Sequence, residues 1–136
     1  GMKQSIIDTD ILSAFLRGNA NVVSHIDEHL KEYGFVSISI ITYYEILNGL
    51  LYKDARKQIT RFNEFVDLNK VIPLTVRLAK AAATIQADLR KKGIEIGHAD
   101  TMIAGTALAN ELQLVTNNTE HFKRVKGLVI ANWLKD

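Results

Sequence analysis

The sequence predicts an α/β fold, a three-layer α/β/α sandwich with a central, mostly parallel sheet of about five strands. Short β-like runs alternate along the chain with longer segments of helical periodicity. Strands separated by helices are typical of parallel sheets that are covered on both faces. The chain has 136 residues, which fits one core. We therefore expect residues 2–136 to form a single domain, with Gly1 as a tag remnant.

The first half of the chain contains two predicted strands and three predicted helices. Val22, Ile26 and Leu30 recur on one helical face, and Gly34 follows as an expected helix end. In chain order we predict a strand over residues 4–7, a helix over 21–30, a strand over 35–39, and helices over 42–52 and 55–68.

The second half repeats this alternation. Thr75 is the expected cap of a long helix that ends at Lys91, before Gly93. In chain order we predict a strand over 71–72, the long helix, a very apolar helix over 98–110, and strands over 114–115 and 128–130.

Composition excludes several classes of protein. Hydrophobic residues make up 47% and charged residues 24%, the balance of an ordered globular protein. The absence of cysteine excludes a disulfide framework and a thiolate metal site, and it is compatible with a cytoplasmic location. No apolar run reaches the roughly 18 residues of a membrane span. The net charge of +2 means that a nucleic-acid partner would need local basic patches.

Polar side chains follow two of the predicted strands. Asp8 stands at the end of the first strand, and Asn118 comes just after the fourth. Sites in open parallel sheets gather at the carboxyl ends of strands, so these side chains share one rim if the strands are neighbours. An Asx-turn or helix cap is the alternative role for Asp8, although Asp10 fits the cap better because it directly precedes Ile11.

Two further acids lie on predicted helices. Thr42 and Glu45 match a capping box, in which the glutamate binds the backbone of the cap residue. Ser39 is an equally good cap, and with it Glu45 would lie inside the helix. Asp100 falls in the first turn of the apolar helix, where it either interacts with the helix dipole or, if buried, requires a counter-charge.

These signals are stronger together than apart. Carboxylates about 4 Å apart repel by roughly 4 kcal/mol at an effective dielectric of 20, so either their pKa values rise or a cation neutralises them. An oxygen-only set of ligands favours Mg²⁺ or Mn²⁺ over Zn²⁺. For Asn118, a plain turn or helix cap remains the alternative.

At this point the chain resembles a PIN domain, and within that group the VapC-type toxins of bacterial toxin–antitoxin pairs. The resemblance covers essentially the whole chain. It rests on four segments in the right order and spacing: Ile7-Asp8-Thr9-Asp10-Ile11-Leu12, Ser39-x-x-Thr42-x-x-Glu45-x-x-x-Gly49, Gly97-x-x-Asp100-x-x-Ile103-Ala104-x-x-Ala107, and Leu114-Val115-Thr116-Asn117-Asn118-Thr119-Glu120-His121-Phe122.

The resemblance implies a metal-dependent endoribonuclease. Asp8, Glu45 and Asp100 match the family's acidic ligands of Mg²⁺ (or Mn²⁺), with Asp8 and Asp100 binding directly. The fourth position is usually Asp and here is Asn118, which keeps an oxygen but no charge, so a second metal is less firmly implied. Thr9 and Thr116 match polar positions that line the family's site.

Partners follow from the same resemblance. RNA is the implied substrate. Arg90, Lys91 and Lys92, which precede Asp100, are candidate phosphate contacts, although a solvated helix end is the favoured explanation for them. We assign no role to His98 or His121. The resemblance also implies a small VapB-like antitoxin and a homodimer as partners. The helices between residues 42 and 68 carry more large apolar groups than a small core needs, which indicates an interface, with simple core packing as the alternative for each residue; these are Tyr43, Tyr44, Leu47, Leu50, Leu51, Tyr52, Phe62 and Phe65.

Two rival functions remain. Asp8-Thr9-Asp10 after a strand resembles the signature of haloacid dehalogenase phosphatases, which form an aspartyl phosphate; that reading gives Glu45 no role. A catalytically silent α/β module that binds a protein or RNA is the other, and it is left open by the missing charge at Asn118.

Overall fold

The computed structural model describes residues 1–136 and contains one five-stranded sheet. All neighbouring strands are parallel, in the order β3-β2-β1-β4-β5. The strands are β1 Ser5–Ile7, β2 Ser37–Ser39, β3 Lys70–Ile72, β4 Gln113–Val115 and β5 Ile130–Ala131. The predicted fold class is therefore confirmed.

Helices occupy most of the remaining chain. They are α1 Thr9–Leu16, α2 Ala20–Tyr33, α3 Ile40–Tyr52, α4 Arg56–Leu68, α5 Val76–Lys91, α6 His98–Ala109 and α7 Thr119–Phe122. The five helices predicted with bounds correspond to α2 to α6. None of the helices combines the length and the apolar character that crossing a bilayer requires.

Side chains of successive strand residues pack into different halves of the core. Ile7 and Val115 join one apolar cluster, which the helices α1, α2 and α4 cover. Ile6 and Leu114 join the other cluster, which α5, α6 and α7 cover. This alternation is the pleat of a β-strand, and it leaves both faces of the sheet buried.

Helix ends follow the capping residues that the sequence indicates. Gly34 ends α2 in the left-handed region with φ 81°. The Thr75 hydroxyl accepts a hydrogen bond from the Leu78 backbone N–H at 3.3 Å and starts α5. Gly93 follows α5 with φ 72°. These residues define where the chain can turn back towards the sheet.

All five strands differ from the predicted bounds by one or two residues, and the differences are largest at the starts of β2 and β5. β2 begins at Ser37 because the Val36 N–H is bound by the Asn69 side chain at 2.9 Å instead of by a strand. β5 begins at Ile130, later than predicted, because Leu128 still belongs to a turn in which its N–H donates to the carbonyl of Val125. Side-chain and turn hydrogen bonds therefore replace ladder bonds at both places.

The closest helix contact lies between α5 and α6. A Cβ added to Gly105 would stand 2.7 Å from the backbone nitrogen of Ala82. Because backbone atoms cannot move aside as a flexible side chain can, only glycine permits this approach. The distance between these two helices is thus set by one residue.

We expect Gly105→Ala to lower the free energy of unfolding by roughly 1–3 kcal/mol, since the added methyl group forces α5 and α6 apart. Gly49→Ala in α3 is the matched control, because no atom lies within 4 Å of its added Cβ. That control should be neutral or stabilising by up to about 1 kcal/mol. Urea denaturation measures both changes, and equal effects of the two variants would contradict the packing argument.

Candidate functional site

The carboxyl ends of β1 and β4 lie side by side. Ile7 pairs with Val115 in the parallel ladder, and the Asp8 N–H extends that ladder by donating to the carbonyl of Val115 at 2.8 Å. Asp8 and Thr116 therefore leave the sheet as neighbours. This arrangement confirms that the segments following the first and fourth strands share one rim.

Asp8 is held by two hydrogen bonds. Its Oδ1 accepts from the Thr9 N–H at 2.8 Å, which makes Asp8 the N-cap of α1. Its Oδ2 accepts from the Thr116 hydroxyl at 2.8 Å. Asp8 thus performs the capping role that the sequence favoured for Asp10, and that prediction for Asp10 is wrong because the helix begins directly after the strand, at Thr9.

Asp10 points back towards the rim from the first turn of α1. Its Oδ2 accepts from the Asn117 N–H at 3.0 Å. Its Oδ1 is buried and has no hydrogen-bond partner. A buried carboxylate oxygen without a partner is costly, so Asp10 joins the set of candidate site residues. Sequence reasoning missed it as a site residue, although its place three residues after a strand end was a usable signal.

The acids at the rim perturb one another. Burial, the negative charge of Asp10 and, more weakly, that of Asp100 together raise the pKa of Asp8 from 3.8 to about 7, against the opposing effect of the bonds from Thr116 and Thr9. Burial also raises the pKa of Asp10, with a smaller contribution from the charge of Asp100. Neighbouring carboxylates with perturbed pKa values are typical of functional sites.

Asp100 lies in the first turn of α6, as predicted. Its Oδ2 is 3.0 Å from Nε2 of His121 on α7, and its side chain is 34% exposed. The sequence assigned His121 no role, because only the fold brings the first turn of α6 beside α7. Asp100 therefore lies close enough to Asp8 and Asp10 to raise their pKa values, and it contacts the imidazole of His121.

Glu45 reaches the site through Thr9. The Thr9 hydroxyl donates to Glu45 Oε1 at 2.6 Å and lies 3.0 Å from the Thr42 hydroxyl. Because a hydroxyl carries one proton, Thr42 is the donor to Thr9 in this chain of bonds. Helix α3 starts at Ile40 with Ser39 as its cap, so Glu45 lies inside the helix and the capping-box alternative is wrong.

Asn118 is attached to the same rim by its backbone. Its N–H donates to the Thr116 hydroxyl oxygen at 3.0 Å, and its exposed side chain makes no capping bond although it stands at the N-cap of α7. Thr116 is fully buried and therefore joins Asp8 to the Asn118 turn. The amide of Asn118 is free to bind a ligand.

The three basic residues at the end of α5 do not form one patch. Arg90 lines a cavity of about 350 Å³ with His98 and Thr101, beside the first turn of α6. Lys92 lines a different groove on α5, and Lys91 lines neither of the two. The role of these three residues as phosphate contacts stays a prediction.

The donor chemistry of the rim fits a hard divalent cation. Mg²⁺ prefers oxygen ligands such as those of carboxylates, amides and hydroxyls. The Oδ1 atom of Asp10 has no hydrogen-bond partner and is therefore available to a cation or to its water. However, no three acidic or histidine side chains are close enough to enclose an ion by themselves. This is compatible with Mg²⁺, which keeps several water ligands and needs few direct protein ligands.

The chain is similar to known proteins over most of its length. A family model described as PIN domain matches residues 5–128. The chain is 33% identical over 129 residues to Ribonuclease VapC1 of Rickettsia felis, covering 92% of each protein. It is 31% identical over 112 residues to the tRNA(fMet)-specific endonuclease VapC of Salmonella typhimurium, covering 78% of this chain and 85% of that protein.

Solved structures give the same picture. The DNA-bound VapBC of Salmonella typhimurium superposes with a TM-score of 0.88 at 26% identity, covering 97% of this chain and 99% of the matched chain. VapBC2 of Rickettsia felis, bound to a promoter DNA fragment, superposes with a TM-score of 0.86 at 25% identity, covering 95% and 98%. The matches span the strands and all elements that carry the rim.

We expect Asp8→Asn to stabilise the protein at pH 7.5 in the presence of EDTA. An acid whose pKa rises on folding contributes stability below its unfolded pKa of 3.8 and loses it as the pH rises through about 7. Asparagine removes the buried charge and keeps the oxygen that caps α1. The gain should be roughly 1–4 kcal/mol by thermal or urea denaturation.

The same experiment at several pH values provides the control. The advantage of Asp8→Asn should grow between pH 4 and about 7 and then level off. Asp27→Asn on the exposed side of α2 changes the net charge equally and should have little effect. A gain that is independent of pH would show that charge burial at Asp8 is not its cause.

Proposed function

This chain belongs to the PIN-domain family, and we propose that it is an endoribonuclease that acts as the toxin of a type II toxin–antitoxin pair. The observation that carries the proposal is the grouping of Asp8, Asp10 and Asp100 at one rim. The chain also matches, over about nine-tenths of its length, relatives named as ribonucleases. We propose that residues 2–136 act as a single domain. Because its proposed substrate is RNA, we place its activity in the cytoplasm.

Mg²⁺ (or Mn²⁺) is the proposed cofactor. Asp8 and Asp100 would hold it directly, and Oδ1 of Asp10, which has no other partner, would accept a hydrogen bond from a water on the cation. When bound, a divalent cation supplies Lewis acidity that activates water and neutralises charge on the phosphodiester. The raised pKa of Asp8 supports this assignment, since a nearby cation favours the ionised carboxylate.

The remaining side chains position the reactants. Glu45 is exposed and fixed by Thr9, so its carboxylate can orient water for in-line attack on phosphorus. Asn118 presents an amide oxygen on the other side of Asp8, where it can hold a second water or a weakly bound second cation. The hydroxyls of Thr9 and Thr116 orient the carboxylates of Glu45 and Asp8, and Thr9 is half-exposed and close enough to the rim to contact RNA.

Arg90 is the strongest phosphate contact of the three basic residues at the end of α5. It lines the cavity beside His98 and Thr101, which are two residues before and one residue after Asp100. A cation at this place attracts the backbone of a bound RNA without reading its sequence. Lys91 and Lys92 would contribute less to the scissile region.

Partner binding is proposed from the exposed apolar side chains. Tyr52 is 90% exposed, Tyr44 65% and Leu51 59%, all on α3, and Leu68 at the end of α4 is 76% exposed. Phe62 and Phe65 are buried, so the predicted excess is confined to fewer residues than the sequence indicated. Solved neighbours are complexes named VapBC, and we propose that a small VapB-like antitoxin and a second copy of the chain cover these groups.

We expect Asp8→Asn and Asp100→Asn each to reduce cleavage of a structured RNA by at least about 100-fold with Mg²⁺ present, because each removes a charge that holds the cation. Gel analysis of single-turnover reactions measures the loss. Asp27→Asn, distant on α2, should retain full activity. Undiminished cleavage by both rim variants would contradict the assignment of Asp8 and Asp100 as metal ligands.

Thr9→Val should lower the cleavage rate about 10-fold, since Glu45 loses the hydrogen bond that orients it. Thr9→Ser keeps the hydroxyl and should restore most of the rate. Denaturation of both variants serves as the control, because a difference in rate without a difference in stability identifies orientation as the cause. Equal rates for the two variants would remove Thr9 from the site.

Metal titration separates this proposal from a catalytically silent binding module. Calorimetry should show Mg²⁺ or Mn²⁺ binding to the wild type, reduced about 10-fold or more in the Asp8→Asn, Asp100→Asn double variant. A silent module would bind the ions no better than the double variant does. A phosphatase of the haloacid dehalogenase type would instead be trapped at Asp8 by phosphoryl analogues.

A further inference from the structure

A basic groove of about 470 Å³ lies between α5 and residues 124–126. It is on the face of the sheet that α5, α6 and α7 cover, away from α2 and α4. Five cations and one carboxylate give its rim a charge of +4, whereas the whole chain carries +2. The charged residues of the rim are Arg77, Lys80, Lys92, Arg124, Lys126 and Asp88.

The cations of this basic groove form no ion pair within 4 Å inside the chain, although Arg124 lies close enough to Glu120 to help lower the pKa of that carboxyl. The ion pairs of the protein join Arg56 to Asp54, Lys123 to Glu120 and His121 to Asp100. No groove cation takes part in them. A cluster of unpaired cations on an otherwise nearly neutral protein creates a local positive potential that attracts polyanions.

The groove is elongated. Its residues on α5 recur every three or four positions from Arg77 to Lys92, so they form one stripe along the helix. Fifteen residues of helix span about 22 Å, and a stacked nucleic-acid strand rises about 3.4 Å per nucleotide. The stripe is thus long enough to follow about six nucleotides of one strand.

The groove has a buried base and an exposed rim. Ile85, Leu89 and Val125 form a buried apolar floor. The Arg77 guanidinium is held by a hydrogen bond from its Nη1 to the carbonyl of Ala109 at 3.0 Å. The lysines are exposed and free to adjust. This combination suits sequence-independent contacts to a phosphate chain.

We propose that the basic groove binds the sugar–phosphate backbone of the RNA substrate outside the scissile region. The inference rests on the proposed ribonuclease function. Its Lys92 end lies where the chain leaves α5 and approaches α6, whose first turn carries Asp100. A strand lying in the groove therefore continues towards the rim, and the groove adds affinity without touching the reacting atoms.

The test compares two double variants with the same change in charge. Lys80→Glu/Lys126→Glu alters the groove. Lys57→Glu/Lys70→Glu is the matched control, since these exposed lysines lie on α4 and β3 and do not line the groove. The probe is a fluorescent RNA hairpin with single-stranded flanks, and anisotropy in EDTA across a range of KCl concentrations gives its Kd without cleavage.

The groove variant should bind the hairpin at least roughly 10-fold more weakly at about 100 mM KCl. The slope of the logarithm of the binding constant against the logarithm of the salt concentration should become shallower by about 0.7 for each lost contact to a single strand. The control should stay within about 2-fold of the wild type. In cleavage assays with Mg²⁺ the groove variant should raise KM and leave kcat unchanged, because the reacting atoms are untouched. Circular dichroism melting verifies that both variants fold.

Other outcomes discriminate between the two proposals. Equal weakening by both double variants, or cleavage with an unchanged KM in the groove variant, overturns the groove and leaves the ribonuclease proposal standing. A different outcome is that the wild type binds the hairpin but cleaves no RNA, and that the groove variant loses this binding. That outcome supports the groove and overturns the ribonuclease proposal. Lysine-dependent binding of an oligoglutamate peptide with unaltered RNA binding would assign the groove to an acidic protein segment instead.

Discussion

The parallel pairing of β1 with β4 is the contact on which the candidate site depends. The ladder continues through the Asp8 N–H to Val115, so the first residue after β1 has no freedom to move away from β4. Helix α1 then begins at Thr9 without a linker, and Asp8 caps it. Strand, cap and candidate ligand are consecutive parts of one segment, and the bond from Thr116 fixes the carboxylate from the neighbouring strand.

Electrostatics turns this construction into a binding site. Burial and the neighbouring acids raise the pKa of Asp8 to about 7, a situation that the fold tolerates at the cost of stability. A protein built for stability alone would place an apolar or neutral residue there. The acids at the rim contrast with the cations of the basic groove. Negative and positive side chains are therefore clustered in different places on the protein.

Local signals in the sequence predicted much of this arrangement. Gly34 and Thr75 fix helix ends by their own conformation and hydrogen bonding, and periodic apolar residues placed the helices α2 to α6. Asp8 and Asp100 were recognisable because strand ends and helix starts converge in a parallel sheet. Their role as metal ligands stays a prediction, since geometry alone does not identify an ion.

Contacts between distant segments were not predictable in the same way. The bond from Thr9 to Glu45 joins residues 36 positions apart, and the contact between His121 and Asp100 depends on how α7 is placed beside α6. Asp10 was misassigned because a cap and a site acid look alike after a short strand. The start of β5 depended on a turn hydrogen bond that apolar spacing does not encode.

The double role of Asp8 has an evolutionary consequence. Substitutions that destroy α1 also remove the fold and any binding that depends on it, whereas asparagine at position 8 retains the capping oxygen and removes only the charge. Inactive descendants of this protein should therefore accumulate asparagine or serine at that position. Such a protein would keep its fold after the loss of activity and could still act as a binding module.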